Sequence, residues 1–522
     1  MQGRRARMTS DDPQAEVLAF LADPVTHGMM FADEEVRRID THASVLFLAG
    51  DQAFKVKRRV RYPFLDYSTL ERRKAACEAE LAVNRAFAPE LYRGVVAVTR
   101  EPNGELALGG GGTPVEWAVE MARFDESATL DQVADRGGLD LELADTLACV
   151  VAAAHAKAPV ADAQGWPERM VKYADDNRAE LGEHPELFAP DEVETLSRAS
   201  RAALRRNERL MRERGGAGLV RRGHGDLHLG NIVLIDGKPV LFDAIEFDPL
   251  IATGDVLYDL AFLLMDLTDR KLDAAANGVL NRYLAETRRP DDLDGLAMLP
   301  LFMSVRAAIR AKVTAEKLGV GASERYAAIA AAREYFRLAQ RLITPAAPQL
   351  VAVGGLSGTG KSTIARALAP ALPPPPGAVV LRSDVERKAL FGKPETEPLP
   401  ASAYSADVTR RVYAALADKA RRVTAAGHTA IVDAVFAQPD ERSQIAAAAR
   451  ANRVPLRGLF LAADLDVRVA RVSARSRDAS DADAAVAREQ ETYDPGPIDW
   501  TRVDASGDIE ATVAAARQAV SA

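Results

Sequence analysis

The chain has 522 residues, room for two or three domains. Apolar residues make up 48% and charged residues 27%, which allows a buried core and excludes a disordered polymer. A net charge of −8 and a pI near 5.6 argue against a general nucleic-acid binder, whose footprint is basic.

The opening residues MQGRRARM have no apolar stretch after their arginines, so they read as a disordered leader and not as a secretory signal. Residues 11–22 have the pattern of a short helix. VLFLAGDQAFKVKRR (45–59) reads as two strands about a Gly50-Asp51 turn, with Phe54 and Val56 alternating against Lys55 and Lys57. STLERRKAACEAELAVNRAFA (68–88) reads as a helix. On it Glu78 shares a face with Glu71, Lys74 and Arg85, whereas Glu80 lies with Ala76, Val83 and Phe87, the face expected to turn inward. Strands are expected at 94–100 and 114–124. The glycine run between them, 109–112, reads as a hairpin turn, because no strand-to-helix context surrounds it. Helical sequence fills 139–214 and 254–342, with a strand and loop at 218–247.

Within that loop stands HGDLHLGN (224–231), followed by a hairpin, IVLI, a DGK turn and PVLFD, ending in Asp243. Phosphoryl transfer to a hydroxyl needs a carboxylate to take the proton, ligands for Mg²⁺ and a cation on the phosphates. Asp226 suits the base, and Asn231 and Asp243 suit the metal. The Asp-xxxx-Asn spacing is that of a protein-kinase catalytic loop. On these motifs residues 40–345 resemble the aminoglycoside phosphotransferases, a protein-kinase-like family, with Leu229 where proline is common. The resemblance implies a β-rich lobe, a hinge near 121–125 and a helical lobe. It also implies Asp226 as base, Asn231 and Asp243 as Mg²⁺ ligands, and His224 and His228 as structural supports. A lysine–glutamate pair is required as well. Lys55 matches the family register in AFKV, and Glu80 is its expected partner. Only Gly50 is available for a glycine loop over the phosphates. Asp255 and Asp259 are expected to cap and anchor the catalytic loop.

TPAAPQ (344–349) marks a boundary, and from there strands and helices alternate, the pattern of a parallel sheet flanked by helices. GLSGTGKST opens this half and fits GxxxxGK[ST] in full, between a strand and a helix. Gly355, Ser357, Gly358, Thr359 and Gly360 would turn the backbone around an anion. Lys361 would reach the β- and γ-phosphates, the Ser362 hydroxyl would bind Mg²⁺, and Thr363 continues into the helix. Asp384 ends the AVVLRSD strand, placed either as an acceptor base or as a cap for the next helix. Asp433 ends HTAIVDAVF and suits Mg²⁺ or acceptor contact. Arg468, Arg471, Arg475 and Arg477 crowd a helix end. Of these, Arg471 and Arg475 are read as a lid over the triphosphate, against a salt-bridged surface face as the alternative. This half resembles the small P-loop kinases, the group of gluconate kinase, chloramphenicol phosphotransferase, zeta toxin and polynucleotide kinase.

The expected fold is a protein-kinase-like two-lobed α+β domain fused to an α/β P-loop domain. Its parts are a leader and helix (1–39), a phosphotransferase-like domain (40–345) and a P-loop kinase domain (346–522). The expected activity is bifunctional transfer from ATP, with Mg²⁺, to hydroxyls of small molecules. A polynucleotide 5′-hydroxyl kinase needs a basic, aromatic-lined channel, and the acidic balance and three tryptophans count against it. A non-catalytic ATP-gated regulator is the reading from another class. Cys77 and Cys149 lie in no ligand spacing and read as reduced helix residues, and no apolar run reaches membrane-spanning length. The expected compartment is the cytoplasm. Nothing in the sequence sets an oligomeric state.

Overall fold

The computed structural model describes residues 13–29, 35–62, 65–316, 322–474 and 478–521. The leader at 1–12 lies outside them, as does Arg475. The chain forms two compact units that interleave along the sequence. One comprises Met1–Trp166, Gly215–Leu263 and Lys317–Arg325, the other Pro167–Arg214, Leu264–Glu316 and Tyr326–Ala522.

In the first unit six antiparallel strands form a sheet: β1 (Arg37–Asp40), β2 (Ser44–Ala49), β3 (Gln52–Lys57), β4 (Tyr92–Arg100), β5 (Leu106–Leu108) and β6 (Thr113–Ala122). Their order across the sheet is β1-β2-β3-β6-β4-β5. Alternation sorts the side chains. Val45, Phe47, Phe54 and Val56 pack with Val17, Leu18 and Leu21 of the helix Pro13–Ala22. Lys55 and Lys57, offset by one residue, therefore turn to the other face. There the helix α1 (Leu70–Asn84) crosses the sheet, and Cys77, Val119 and Met121 form a second core. The glycine run at 109–112 is not the expected hairpin turn: a short strand, β5, precedes it, and β5 and β6 each pair with β4, on opposite sides. The run thus carries the chain from one side of β4 to the other, where Glu101 accepts the Gly112 N–H at 3.0 Å. Cys77 and Cys149 lie on helices as thiols and not in a disulfide, and burial pushes the Cys77 thiol up to about 12.

The inward face of α1 differs from the expected one. Arg73, Cys77, Glu80 and Asn84 are buried, while Ala76 and Val83 are only half-buried. The stripe is polar because its partners are buried charges. The Arg73 Nε donates to Glu116 Oε1 at 2.8 Å, and Glu80 meets the two lysines.

In the second unit five strands run parallel: β7 (Leu350–Gly355), β8 (Val379–Arg382), β9 (Ala430–Asp433), β10 (Leu456–Ala462) and β11 (Thr501–Asp504). Their order is β8-β9-β7-β10-β11. The central strand β7 is buried along its whole length, as its unbroken LVAV run requires. Val351, Val353, Ile364, Leu368, Ile431 and Leu459 fill the core between this sheet and the helix α2 (Lys361–Leu368). The outer edge of β8 is not left open. Asn281, on the helix Asp273–Thr287, accepts the Val380 N–H at 2.7 Å and donates to the Ala378 carbonyl at 3.1 Å. One side chain thus stands in for a neighbouring strand. Among the described residues no helix is long and apolar enough to cross a membrane.

Candidate active sites

The first unit encloses a cleft of about 1010 Å³ under its sheet. Leu46, Leu48, Ala53 and Met121 give it an apolar side, and Lys55, Asp226 and Asp243 project a polar one. The Lys55 Nζ lies 2.8 Å from Glu80 Oε1 and 2.7 Å from Asp243 Oδ1. Burial acts to discharge Lys55, but the carboxylates of Asp243 and Glu80 outweigh it and hold the ammonium well above its ordinary value. Glu80 has no exposed surface. Burial would raise its pKa, yet the two lysines bring it down to about 2. Glu78, by contrast, is exposed beside Lys74.

The catalytic-loop motif is held by backbone contacts. Asp259 accepts the N–H groups of His224 (2.8 Å) and Gly225 (2.9 Å). Gly223 makes that approach possible, since a Cβ there would lie 2.5 Å from the Asp259 carboxylate. His224 is buried, and its Nε2 meets the Phe242 carbonyl at 2.8 Å. Burial lowers its pKa, which keeps the ring neutral. His228 caps the turn that follows, its Nδ1 accepting the Gly230 N–H at 3.1 Å. Asp255 accepts the Leu257 N–H at 2.9 Å, a cap on the next helix.

Asn231 donates to the Asp226 backbone carbonyl (2.9 Å) and to its Oδ2 (3.0 Å). Its own carbonyl oxygen is the acceptor that remains. Asp243 sits at φ +59°, a left-handed backbone that aspartate tolerates better than most residues. Its N–H donates to the Tyr92 hydroxyl at 3.2 Å, and Asn84 holds both the N–H and the carbonyl of Ala244. The strained residue is thus fixed from both sides. Gly50 occupies a two-residue turn between β2 and β3, at φ +55°.

The sequence reading left Lys57 without a task. Its Nζ lies 2.5 Å from Glu80 Oε2 and 2.5 Å from Glu246 Oε1, and Tyr67 donates to the same Glu246 oxygen at 3.3 Å. Glu80 therefore bridges two lysines. The signal was available, since Lys57 is two residues from Lys55 on one strand face and Glu246 is three residues past Asp243.

In the second unit the loop between β7 and α2 curls as the motif requires. Gly355, Gly358 and Gly360 have φ of +135°, +87° and +86°. A Cβ at Gly358 would sit 2.6 Å from the Arg468 carbonyl oxygen. Ser362 donates to Asp433 Oδ2 at 2.6 Å, and the Lys361 Nζ donates to the Leu356 carbonyl at 3.1 Å. The Thr359 hydroxyl braces the same carbonyl at 2.8 Å. The Ser357 N–H is taken by Gln490 Oε1 at 2.6 Å, and Thr363 is exposed on α2.

Asp384 does not cap its helix. The helix α3 (Ser383–Leu390) has Arg382 as its N-cap and no side-chain cap bond, so Asp384 is its second residue and free for another role. Burial, then the nearby Asp433 carboxylate, raises its pKa.

The expected lid is corrected at Arg471; its partner in that expectation, Arg475, lies outside the described residues. Arg468 is buried and clamps the phosphate loop from beneath, with Nε donating to the Ser357 carbonyl at 2.9 Å and a terminal nitrogen to the Ala487 carbonyl at 2.8 Å. Arg471 donates to the carbonyls of Ala505 (2.7 Å) and Gly507 (3.3 Å), bracing the end of β11. Its guanidinium is engaged there and not at the phosphate loop. Both are helix positions whose side-chain targets are distant in sequence, so charge spacing misassigned Arg471 and gave no sign of the role of Arg468. Arg382, which the sequence reading passed over, is the arginine that reaches Ser362 and Asp433.

Both donor sets suit a hard divalent cation. Asn231 with Asp243, and Ser362 with Asp433, offer only oxygen ligands of the kind Mg²⁺ takes.

A family described as "Phosphotransferase enzyme family" matches residues 45–297, and one described as "AAA domain" matches residues 350–495. The uncharacterized protein Rv2004c of Mycobacterium tuberculosis (strain ATCC 25618 / H37Rv) is 31% identical over 487 residues, covering 91% of this chain and 93% of that protein. The uncharacterized protein Mb2027c of Mycobacterium bovis gives the same values, 31% over 487 residues, 91% and 93%. Among solved structures, a gluconokinase from Sinorhizobium meliloti 1021 aligns at 21% identity and TM-score 0.25, over 33% of this chain and 95% of that one. A choline kinase from Cryptosporidium parvum Iowa II aligns at 12% identity and TM-score 0.40, over 64% and 96%.

Proposed function

We propose a bifunctional ATP-dependent kinase for this chain, which belongs to the same family as Rv2004c of Mycobacterium tuberculosis and joins a phosphotransferase region to a P-loop kinase-like region. Residues 40–345 would carry one transfer and 346–522 the other, each from ATP to a hydroxyl of a small molecule. A single observation supports this most. Each half independently gathers a lysine, a carboxylate and a hard-oxygen pair, as Lys55, Asp226 and Asn231–Asp243, and as Lys361, Asp384 and Ser362–Asp433.

In the first half Lys55 is the cation that grips phosphate, held in place by Glu80, and the Asp226 carboxylate accepts the acceptor's hydroxyl proton. Asn231 orients that carboxylate through its Nδ2. In the second half the loop amides and Lys361 cradle phosphate while Asp384 accepts the proton. Mg²⁺, bound at Asn231 with Asp243 or at Ser362 with Asp433, would neutralise phosphate charge.

The test uses labelled ATP, Mg²⁺ and a pool of hydroxylated metabolites, with products resolved by mass. Wild type is compared with Asp226→Ala and Lys361→Ala. Two products, one lost in each variant, are expected. ATP binding without any product would replace this reading with that of a nucleotide-gated regulator.

The raised pKa of Asp384 adds a prediction about stability. A carboxyl whose folded value lies above its ordinary 3.8 opposes folding once ionised, and that cost grows as pH rises from 3.8 through the raised value. Asp384→Asn is therefore expected to raise the thermal midpoint at pH 7 while removing C-terminal transfer. Thermal unfolding of both proteins at pH 7 checks this, and a lower midpoint in the variant counts against a poised carboxylate.

A further inference from the structure

The Arg382 guanidinium lies against the pair of side chains that the proposed function assigns to Mg²⁺. Its Nε is 3.4 Å from Asp433 Oδ2, the oxygen that also receives the Ser362 hydroxyl. A terminal nitrogen reaches Ser362 Oγ at 3.2 Å and Asp478 Oδ1 at 3.1 Å. The side chain is only 9% exposed. Among the described residues its buried Nε makes no hydrogen bond of good geometry, so the hold on Asp433 is electrostatic and loose. The hold on Asp478 is a proper hydrogen-bonded ion pair. Asp478 begins a short segment that is pinned again at Asp481, by Lys388 at 2.6 Å and by the Tyr404 hydroxyl at 2.5 Å.

A divalent cation held by Ser362 and Asp433 would place its positive charge against their oxygens. A guanidinium within 3.5 Å of those same two atoms is then a like charge at close range, in a site with little water to screen it. The two cations compete for one oxygen, and Arg382 already holds a second carboxylate, Asp478, on which it can remain.

We propose that Arg382 is a positioning residue that competes with a divalent cation for the Ser362–Asp433 pair, so that cation binding there displaces the guanidinium from Asp433 and leaves it on Asp478 alone, the ion pair it already makes. This rests on the reading of the loop as a Mg²⁺-nucleotide site. Arg382 is then a link between metal loading and the segment nearest Asp384, whose side chain meets Ser480.

The experiment is calorimetric binding of ADP to the full chain, with Mg²⁺ and with EDTA. The C-terminal component is the one that Lys361→Ala removes. The quantity of interest is the ratio of its affinities with and without Mg²⁺. Arg382→Met removes the competitor, and the ratio should rise about tenfold, the equivalent of ~1.4 kcal/mol. Asp478→Asn removes the retreat and leaves Arg382 on Asp433, and the ratio should fall below that of wild type. A role limited to packing or to gripping phosphate would move both affinities together and leave the ratio unchanged in each variant, which overturns the proposal. So do shifts of the same sign in both variants. Should Arg382→Met fail to fold, Asp478→Asn decides alone, and an unchanged or increased ratio rejects the competition. If Lys361→Ala removes no ADP-binding component, the nucleotide-site reading itself falls, and the inference with it.

Discussion

The Asp226→Ala protein is expected to lose N-terminal transfer by about 10²–10⁴-fold, the usual contribution of a general base, with ADP affinity of that half nearly unchanged. The geometry explains why the two quantities should separate. Asn231 is anchored twice, to the Asp226 side chain at 3.0 Å and to the Asp226 backbone carbonyl at 2.9 Å. Alanine removes only the first, so Asn231 keeps its place. The loop backbone is held from elsewhere, by Asp259 on the N–H groups of His224 and Gly225. Lys55, Glu80 and Asp243 form their own ion-pair group and do not depend on Asp226. Product mass and calorimetric ADP binding, measured on the same preparation, check both halves of the expectation. Transfer that survives the substitution would take the base role away from Asp226. A collapse of ADP binding would instead make it part of the nucleotide site.

Much of this site could be read in the sequence because its chemistry is packed into short stretches. Asp226 and Asn231 share one eight-residue motif, and Gly355 through Ser362 form another, so local spacing fixes their mutual geometry. The strand period likewise placed Lys55 and Lys57 on one face. Reading failed where the partner is far along the chain. The inward stripe of α1 was sought among apolar residues, but its buried members include Arg73, Glu80 and Asn84, because Glu116, Lys57 and Ala244 await them. Lys57 had no evident task until Glu246, 189 residues away, closed on it. Arg471 looked like part of a lid because a helix displays its charges together, and the same crowding hid the separate task of Arg468. Where each long side chain lands is decided by the loop at Ser357 and by the end of β11, which no local pattern reports. The same holds for the edge of β8. Asn281 covers it across 99 residues of sequence, and a lone asparagine on a helix gives no hint of pairing with a strand.

Lys361→Ala is expected to lower C-terminal transfer by about 10²–10³-fold, the cost of deleting one preorganised charge stabiliser in a phosphoryl-transfer site, and to take ADP binding at that site below what calorimetry detects. The cradle should survive the change. Its shape is set by the positive-φ glycines at 355, 358 and 360, by the Thr359 hydroxyl on the Leu356 carbonyl, and by Arg468 beneath Ser357. The bond from Lys361 to the Leu356 carbonyl is therefore one of three on that oxygen, and its loss leaves those from the Thr359 hydroxyl and N–H. Thermal unfolding of the variant should accordingly stay close to wild type, which separates a lost charge from a lost fold. The two halves also make opposite demands on the pair of variants. If the sites act independently, Lys361→Ala leaves the N-terminal product untouched and Asp226→Ala leaves the C-terminal one untouched, and the double variant loses both. If one half only feeds or gates the other, a single substitution removes both products. Quantifying each product in the two single variants and the double variant therefore measures coupling as well as assignment, and a second product lost in only one single variant gives the direction in which the coupling runs.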